Sequence, residues 1–220
     1  MTRFPVAREG LGLILPALVL SLLLVWFGLP LLAVVCFALF LFFVYFFRNP
    51  KRSCMCGPDE LVSPADGKVT SIETLEEGEF LKGKAKRISI FMSVSDVHVN
   101  RAPCEGQVLQ VEHRPGRFRM AFKQEVDREN ERNYVLYGRG EEKFLLVQIA
   151  GFLARRIVCY VRKDDQLQKG EPFGMIAFGS RVDLYVPEHY EPMVRVDQKV
   201  KSGLTVLARL KESKTVRHSA

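Results

Sequence analysis

One long apolar run near the N-terminus sets the first limit on how this chain can fold. No charged residue lies between Leu11 and Phe47, a stretch of 37 residues in which one serine is the only clearly polar side chain. A single membrane crossing takes about 20 apolar residues, so the run is too long for one helix and fits two. Gly28 and Pro30 lie near its middle, where these residues favour a turn. We therefore predict that residues 1–47 form a helical membrane segment.

Two arrangements of this segment stay open, two full spans or a hairpin held in one leaflet, because each half is short for a crossing. A cleaved signal peptide fits less well, since its apolar stretch is only about 7–15 residues and a small-residue cleavage site follows it. Basic residues flank both ends of the run: Arg3, Arg8, Arg48, Lys51 and Arg52. Positive charge stays on the cytoplasmic side. We predict a protein of the cell membrane whose remaining part faces the cytoplasm.

The charge and the cysteines argue against nucleic acid and metal as partners. The formal net charge is +7, but no basic face interleaved with aromatic residues is visible. Of the five cysteines, Cys54 and Cys56 are too close for a CxxC metal or redox motif, and no second pair accompanies them. We expect no bound metal, and free thiols in a reducing compartment.

After the apolar run, a short linker leads into one compact domain. Residues 48–58 are basic and contain proline and glycine without periodicity, which indicates the linker. Residues 59–220 alternate short segments rich in valine, isoleucine and phenylalanine with turns, and show no long helical period. The predicted fold class is mainly β, a sandwich or barrel-like hybrid, with an N-terminal helical membrane hairpin. The predicted strands are Lys68–Ile72, Ala85–Met92, Gly106–Val111, Asn133–Tyr137, Phe144–Ile149, Arg156–Val161, Val182–Val186 and Leu204–Leu210.

Three segments of this domain are candidates for chemistry. The first, SPADGK at residues 63–68, is on its own a proline-led turn in which Asp66 is favoured. The second, FMSVSDVHVNRAP at residues 91–103, runs from a hydrophobic strand into a polar turn and places His98 between two valines. A lone histidine is more often structural, but His98 is the best acid–base candidate among the four histidines. The third contains Gly179-Ser180, the only Gly-Ser pair in the chain.

The Gly179-Ser180 pair can be interpreted as a structural feature or as a reactive site. Taken alone, it indicates a bulge between strands. Glycine, however, adopts backbone angles closed to other residues and leaves its carbonyl carbon open to attack. The Ser180 hydroxyl can attack that carbonyl if a base removes its proton, and strained backbone at the junction would help.

In combination these segments resemble a known family. The order of the apolar segment, FFRNP, SPADG, SVSDVH, QIAGFLARRIVC and FGSRVDLYVP is similar to the short bacterial and archaeal form of phosphatidylserine decarboxylase. The resemblance covers nearly the whole chain. Its specific part is FGS followed by VDLYVP at this distance from the C-terminus, and the other segments support it.

The resemblance implies a proenzyme that cuts itself at Gly179–Ser180 into chains 1–179 and 180–220. Ser180 then becomes a covalent pyruvoyl group, so no metal and no diffusible cofactor is needed. The family condenses this group with the amine of phosphatidylserine to a Schiff base and releases carbon dioxide and phosphatidylethanolamine. The implied partners are the membrane phospholipid substrate and the two cleaved chains themselves, held as a heterodimer and open to further oligomerisation.

The resemblance also suggests roles for three other residues. Asp66 and His98 fall where the family has acidic and histidine residues, with Asp66 orienting His98 as the acid of a Ser-His-Asp triad does. Long forms have a second histidine three residues after the first, usually assigned to self-cleavage, where this chain has Arg101. An arginine stays protonated and cannot act as a base, so we expect Arg101 to bind the phosphate or carboxylate of the substrate.

Other interpretations stay open at this point. A lipoyl- or biotinyl-type carrier domain would need a modifiable lysine at an exposed hairpin tip, and Lys68 lacks that setting. A pyruvoyl enzyme acting on a soluble amino acid would leave the membrane segment unexplained. The interpretation as a paralogue that does not cleave itself is supported only by Arg101. The lipid backbone is open as well, since an ether-linked serine lipid presents the same head group.

Overall fold

The structure, a computed structural model, describes most of the chain in four ranges: 5–116, 130–151, 157–177 and 179–211. Two pieces of the family-like segments lie outside these ranges. They are Phe178 and residues 152–156, which include the first residue of one predicted strand.

The apolar run forms a helical hairpin, as predicted. A short 3-10 turn, Arg8–Gly10, leads into helix α1, Leu11–Trp26, and helix α2 follows as Pro30–Phe46. Gly28 has a φ of +72° in the connection, a left-handed conformation in which glycine is not strained. The stretch Arg8–Trp26 has 19 residues and a mean hydropathy of 2.1, which is long and apolar enough to cross a membrane, and α2 is two residues shorter.

Fourteen strands follow in the described part of the chain. They are β1 Glu60–Val62, β2 Gly67–Glu77, β3 Gly83–Met92, β4 Val99–Arg101, β5 Gly106–Arg114, β6 Arg132–Arg139, β7 Glu142–Ile149, β8 Ile157–Cys159, β9 Gln166–Leu167, β10 Pro172–Ile176, β11 Ser180–Pro187, β12 Tyr190–Pro192, β13 Lys199–Val200 and β14 Val206–Leu210. All eight predicted strands overlap observed ones, and the strands that were not predicted are mostly two or three residues long.

The strands form three antiparallel sheets. The largest has the order β13-β2-β3-β11-β7-β6-β5-β9 and curls into half a barrel. The two smaller sheets have the orders β1-β14-β12 and β4-β10-β8. This architecture confirms the predicted mainly β class with a helical hairpin.

Strand β11 lies inside the large sheet, between β3 and β7. Side chains alternate along a strand, so Val182 and Leu184 enter the main core while Arg181 and Asp183 lie on the opposite face. Ser180 is the first residue of β11 and is paired with Met92 of β3. The Gly179–Ser180 bond therefore lies where a loop enters a central strand.

Residues 48–58 contain no helix or strand, yet part of this segment is fixed to the domain. Asn49 is buried, and both Asn49 and Arg52 bond to residues of the β domain. Cys54 and Cys56 form a disulfide, with Cα atoms 5.2 Å apart. The structure thus pairs these two cysteines, where free thiols were predicted, and the other three cysteines are free.

Candidate active site

At the Gly179-Ser180 junction Ser180 is buried, Gly179 is partly exposed, and the Gly179 backbone has a conformation that favours glycine. Gly179 has a φ of +24°, in the left-handed region where a side chain would be strained. Ser180 is 0% exposed. Its hydroxyl donates to the Met92 sulfur, with Oγ and Sδ 3.6 Å apart. A thioether is a weak acceptor, so the hydroxyl is only loosely held.

A chain of buried amides ends at the same sulfur. Asn133 Nδ2 donates to Gln148 Oε1 at 3.0 Å, and Gln148 Nε2 donates to Asn100 Oδ1 at 2.9 Å. Asn100 Nδ2 then lies 3.6 Å from Met92 Sδ. We call Asn133, Gln148, Asn100, Met92 and Ser180 the amide chain.

The amide chain fixes the direction of the Asn100 side chain. Because the Asn100 oxygen accepts from Gln148, its NH2 group must point the other way, towards the sulfur shared with Ser180. Both amide and hydroxyl thus direct their hydrogens at a weak acceptor. The arrangement leaves a preoriented N–H donor next to the residue paired with Ser180.

His98 precedes Asn100 by two residues and is also fully buried. Its Nδ1 lies 2.9 Å from the Asp96 carbonyl oxygen, which can only accept, so Nδ1 carries the proton. The other nitrogen, Nε2, has no hydrogen-bond partner among the described residues. Burial lowers the pKa of His98 to about 4, although Asp96 opposes part of the change. His98 is therefore neutral near pH 7, with a free lone pair on Nε2.

The other two histidines in the described part of the chain differ from His98. His113 and His189 have side chains 50% and 52% exposed, and each faces a glutamate. The fourth, His218, lies outside the described residues. His98 is thus the buried imidazole among the described histidines.

Asp66 forms a different set of contacts from the one predicted. Arg52 bonds both carboxylate oxygens, the second through Nη2 at 2.8 Å, and the Ser202 N–H donates at 2.8 Å. Burial by itself would raise the pKa of Asp66, but Arg52 and Ser202 outweigh it, and the net pKa is lowered. Among the described contacts, none joins this carboxylate to His98, whose Nδ1 is oriented by Asp96 instead. Asp66 thus forms no hydrogen bond to His98 and acts on the imidazole only through its charge, which tends to raise the His98 pKa.

Arg101 is buried and bonded to oxygens of the protein. Its Nη1 donates to the Gly170 carbonyl at 3.0 Å, and its Nη2 donates to Asn49 Oδ1 at 2.6 Å and to the Pro50 carbonyl at 3.0 Å. Burial lowers the pKa of Arg101 to about 10, so the guanidinium stays charged near pH 7. Binding a substrate anion there would require Arg101 to give up some of these bonds. We call Asn49, Arg52, Asp66, Arg101 and Ser202 the Asp66 cluster.

The structure thus links Ser180, through Met92, to Asn100, which lies two residues after His98, and it places Asp66 and the Arg101 side chain in a separate cluster. Three contributors were missed by the sequence reasoning: Asn100, Gln148 and Arg52. Gln148 carries one visible signal, since it interrupts the apolar strand β7. No group of three or more His, Cys, Asp or Glu side chains suited to a metal occurs in the described ranges.

Comparison with known proteins identifies the family of this chain. A family model described as phosphatidylserine decarboxylase matches residues 39–208. The chain is 47% identical over 207 residues to the phosphatidylserine decarboxylase proenzyme of Carboxydothermus hydrogenoformans, covering 93% of this chain and 96% of that protein. It is 42% identical to the proteins of the same name from Syntrophus aciditrophicus, covering 90% and 94%, and Desulfotalea psychrophila, covering 94% and 97%. With matches of this extent and identity, the chain belongs to the phosphatidylserine decarboxylase family.

Proposed function

We propose that this chain decarboxylates phosphatidylserine to phosphatidylethanolamine and carbon dioxide, after cutting itself at Gly179–Ser180 to form a pyruvoyl group. The observation that carries the proposal is the buried, weakly held Ser180 hydroxyl directly after a left-handed glycine. In a member of this family, that junction has the parts that self-cleavage requires. The nucleophile is adjacent to the carbonyl, and the backbone is one that only glycine adopts without strain.

Self-cleavage then proceeds in three chemical steps. The Ser180 oxygen attacks the Gly179 carbonyl carbon, and the peptide C–N bond breaks to give an ester and a free amine. Removal of the Ser180 α-proton expels the ester as the Gly179 carboxylate and leaves dehydroalanine. Tautomerisation and hydrolysis consume one water, release ammonia and leave the pyruvoyl group at the start of residues 180–220.

We assign the proton transfers to His98 and the stabilisation of negative charge to Asn100. Neutral His98 has a free Nε2 that can accept a proton, and its pKa of about 4 makes the imidazole a weak base and its protonated form a strong acid. The Asn100 NH2 group, held in direction by Gln148, is a donor for the oxygen that becomes negative during attack on Gly179. Preorientation matters because the donor then needs no rearrangement as the charge develops.

The residues around Ser180 fit the pyruvoyl group that the family implies. Once formed, that group supplies a ketone that withdraws the electrons left when carbon dioxide departs. The orphaned Nε2 of His98 is an unused polar atom in a buried setting, suited to returning a proton to the substrate carbon. The Asn100 donor, bonded only weakly to a thioether, is available to a carbonyl oxygen.

The fold also explains how the two chains stay together after cleavage. Strand β11 of the small chain lies between β3 and β7 of the large chain, and β14 pairs with β1. Cutting before Ser180 leaves these ladders intact. We therefore propose a tightly held heterodimer of residues 1–179 and 180–220.

We further propose that the hairpin inserts into the cell membrane and that the β domain faces the cytoplasm, where the thiols of Cys54 and Cys56 would be kept reduced. Helix α1 is only 17% buried over its most apolar stretch, and both helices expose many large apolar side chains. Basic residues flank both ends of the run. A lipid substrate explains why the enzyme is anchored.

For Asp66 and Arg101 the contacts favour positions in the scaffold. Asp66 ties Arg52 to Ser202, and Arg101 ties the segment after the hairpin to the loop at Gly170. The role of Arg101 in binding a substrate anion stays a prediction.

The proposal is tested with Ser180→Ala and Ser180→Thr in the full chain. The alanine variant has no nucleophile and no route to a ketone, so we expect an uncut protein of 25.1 kDa without carbon dioxide release. Threonine keeps the hydroxyl, so we expect slow cleavage through the ester. The small chain would then begin with a keto group derived from threonine instead of serine. Wild-type protein that releases carbon dioxide from labelled phosphatidylserine while remaining a single chain would refute the proposal.

A further inference from the structure

The second helix of the hairpin ends directly on His98. Phe46, the last residue of α2, is fully buried. Its ring centroid lies 4.2 Å from that of the His98 ring, with the planes tilted by 35°. The same aromatic ring belongs to an apolar cluster that includes Val97, Val99 and Met175. The base of the membrane hairpin is therefore packed into the strand pair β4 and β10, beside the proposed acid–base group.

Two neighbours of Phe46 hold the backbone that leads into His98. The Tyr45 hydroxyl donates to the Ser95 carbonyl at 3.1 Å, and Arg48 Nη2 donates to the same oxygen at 2.7 Å. The Arg48 guanidinium also lies 3.9 Å from the centroid of the Tyr45 ring. Ser95 is adjacent to Asp96, whose carbonyl orients the imidazole. Two hydrogen bonds from the end of the hairpin thus hold Ser95, the neighbour of the residue that orients the His98 ring.

The start of the chain closes this base from the other side. Ala7 N–H donates to the Phe47 carbonyl at 2.8 Å, and Val6 forms a β-bridge with Arg48. The Tyr160 hydroxyl, on the β domain, donates to Glu9 at 3.0 Å. Both ends of the hairpin are therefore bonded to each other, and Glu9 is bonded to the β domain, close to where α2 meets His98.

We propose that the hairpin foot, defined as Tyr45, Phe46 and Arg48, is a positioning element of the active site that holds the His98 ring and excludes water from it. The hairpin then has a second role beside anchoring, since it completes the surroundings of the acid–base group. Phe46 is the main positioning residue, because its ring covers a face of the imidazole. This inference rests on the proposed function, in which His98 transfers protons.

The physical consequence is a change in the titration of His98. Burial is the largest cause of its lowered pKa, Asp96 and Asp66 act to raise it, and Arg48 acts to lower it. Replacing the Phe46 ring by a smaller side chain admits water, weakens the burial effect and raises the pKa towards 6.5. The neutral imidazole is the working base. A raised His98 pKa therefore lowers the neutral fraction at acidic pH, and activity at acidic pH falls with it.

The direct test is an NMR titration of the histidine rings in the uncut Ser180→Ala chain in detergent micelles, with His98 assigned by its absence in a His98→Gln partner. We compare Phe46→Leu and Phe46→Ala with Phe37→Leu, a matched change at a 45% exposed position of the same helix. We expect the pKa of His98 to rise by about one unit or more in the Phe46 variants and to stay unchanged in Phe37→Leu.

Turnover gives the second readout, with a short-chain soluble phosphatidylserine so that membrane recruitment does not matter. The acid limb of the pH profile should move to higher pH in Phe46→Leu but not in Phe37→Leu. Leucine keeps most of the apolar packing, so this variant stays informative if Phe46→Ala does not fold. An unchanged His98 titration in folded Phe46→Leu overturns the inference. An active, processed His98→Ala enzyme would instead overturn the assignment of His98 in the proposed function.

Discussion

The amide chain and the Asp66 cluster are both buried, yet the acceptors that their polar groups bond differ in strength. In the Asp66 cluster a carboxylate meets a guanidinium and a backbone N–H, and Arg101 donates to three oxygens while its buried Nε has no partner among the described residues. In the amide chain, Asn100 and Ser180 both end on a thioether, and nearby His98 has an unpartnered Nε2 among the described residues. Buried polar groups normally find good partners.

The difference separates the part of the molecule that holds the fold from the part that reacts. A well-paired buried cluster resists change, because breaking it leaves an uncompensated charge. A hydroxyl, an amide and an imidazole with weak partners are free to bond to a new group at little cost. This contrast predicts that variants of the amide chain and of His98 lose reaction rate, whereas variants of the Asp66 cluster lose stability.

The largest effect is expected for His98→Ala. A positioned acid or base contributes about 100- to 10,000-fold in rate, so self-cleavage, turnover or both should slow by that range. Processing followed by gel, together with carbon dioxide release, measures the two steps separately. His189→Ala is the matched control, since that ring is exposed, and it should process and turn over normally. Normal cleavage and turnover in His98→Ala would show that the unpartnered imidazole has no role in the reaction.

A smaller effect is expected for Asn100→Ala. Losing one donor to a developing negative oxygen costs about a hundred-fold at the low end of the usual range, and this loss should appear in the cleavage rate. Gln148→Leu should share the defect in milder form, because it releases the direction of the Asn100 amide. The measurement is the time course of cleavage of freshly made precursor. Equal cleavage rates in Asn100→Ala and wild type would show that the amide chain is only structural.

The smallest effect on rate is expected for Asp66→Asn, which sharpens the contrast from the other side. Breaking a buried ion pair costs about 3–5 kcal/mol of stability, and the Arg52 and Asp66 side chains are only 7% and 9% exposed. We therefore expect a lower midpoint in denaturant but near-normal turnover per folded, processed molecule. A turnover defect like that of His98→Ala, without loss of stability, would restore the triad predicted from the sequence.

The sequence was enough to predict the class of fold. The charge-free run and its Gly-Pro turn predict the hairpin, and the alternating segments predict the long strands. Strands of two or three residues, such as β4 and β9, were missed because alternation needs more residues than they have. Strand β4 matters most, since it carries Asn100 and Arg101.

The site was predictable only where chemistry marks the chain. Gly179-Ser180 and His98 are recognisable by type and by family resemblance. Asn100 and Gln148 are 48 residues apart and meet only through the pairing of distant strands. Phe46 lies in a run of phenylalanines that the sequence predicts to face lipid. Arg52 lies in the basic flank of the apolar run, where the membrane topology is a sufficient reason for its positive charge. Their contacts depend on how the hairpin docks, which no local pattern records.

The central claim is that the Gly179–Ser180 bond is cut by its own serine to yield a pyruvoyl group, and intact-mass spectrometry of the purified full chain tests it most directly. We predict two masses, for residues 1–179 with a free carboxylate and for residues 180–220. The smaller chain should be lighter, by one ammonia, than the same chain beginning with serine, and it should react with a carbonyl reagent. A single mass for the intact 25.1 kDa chain in active protein would contradict the claim, and so would a small chain beginning with an unmodified serine.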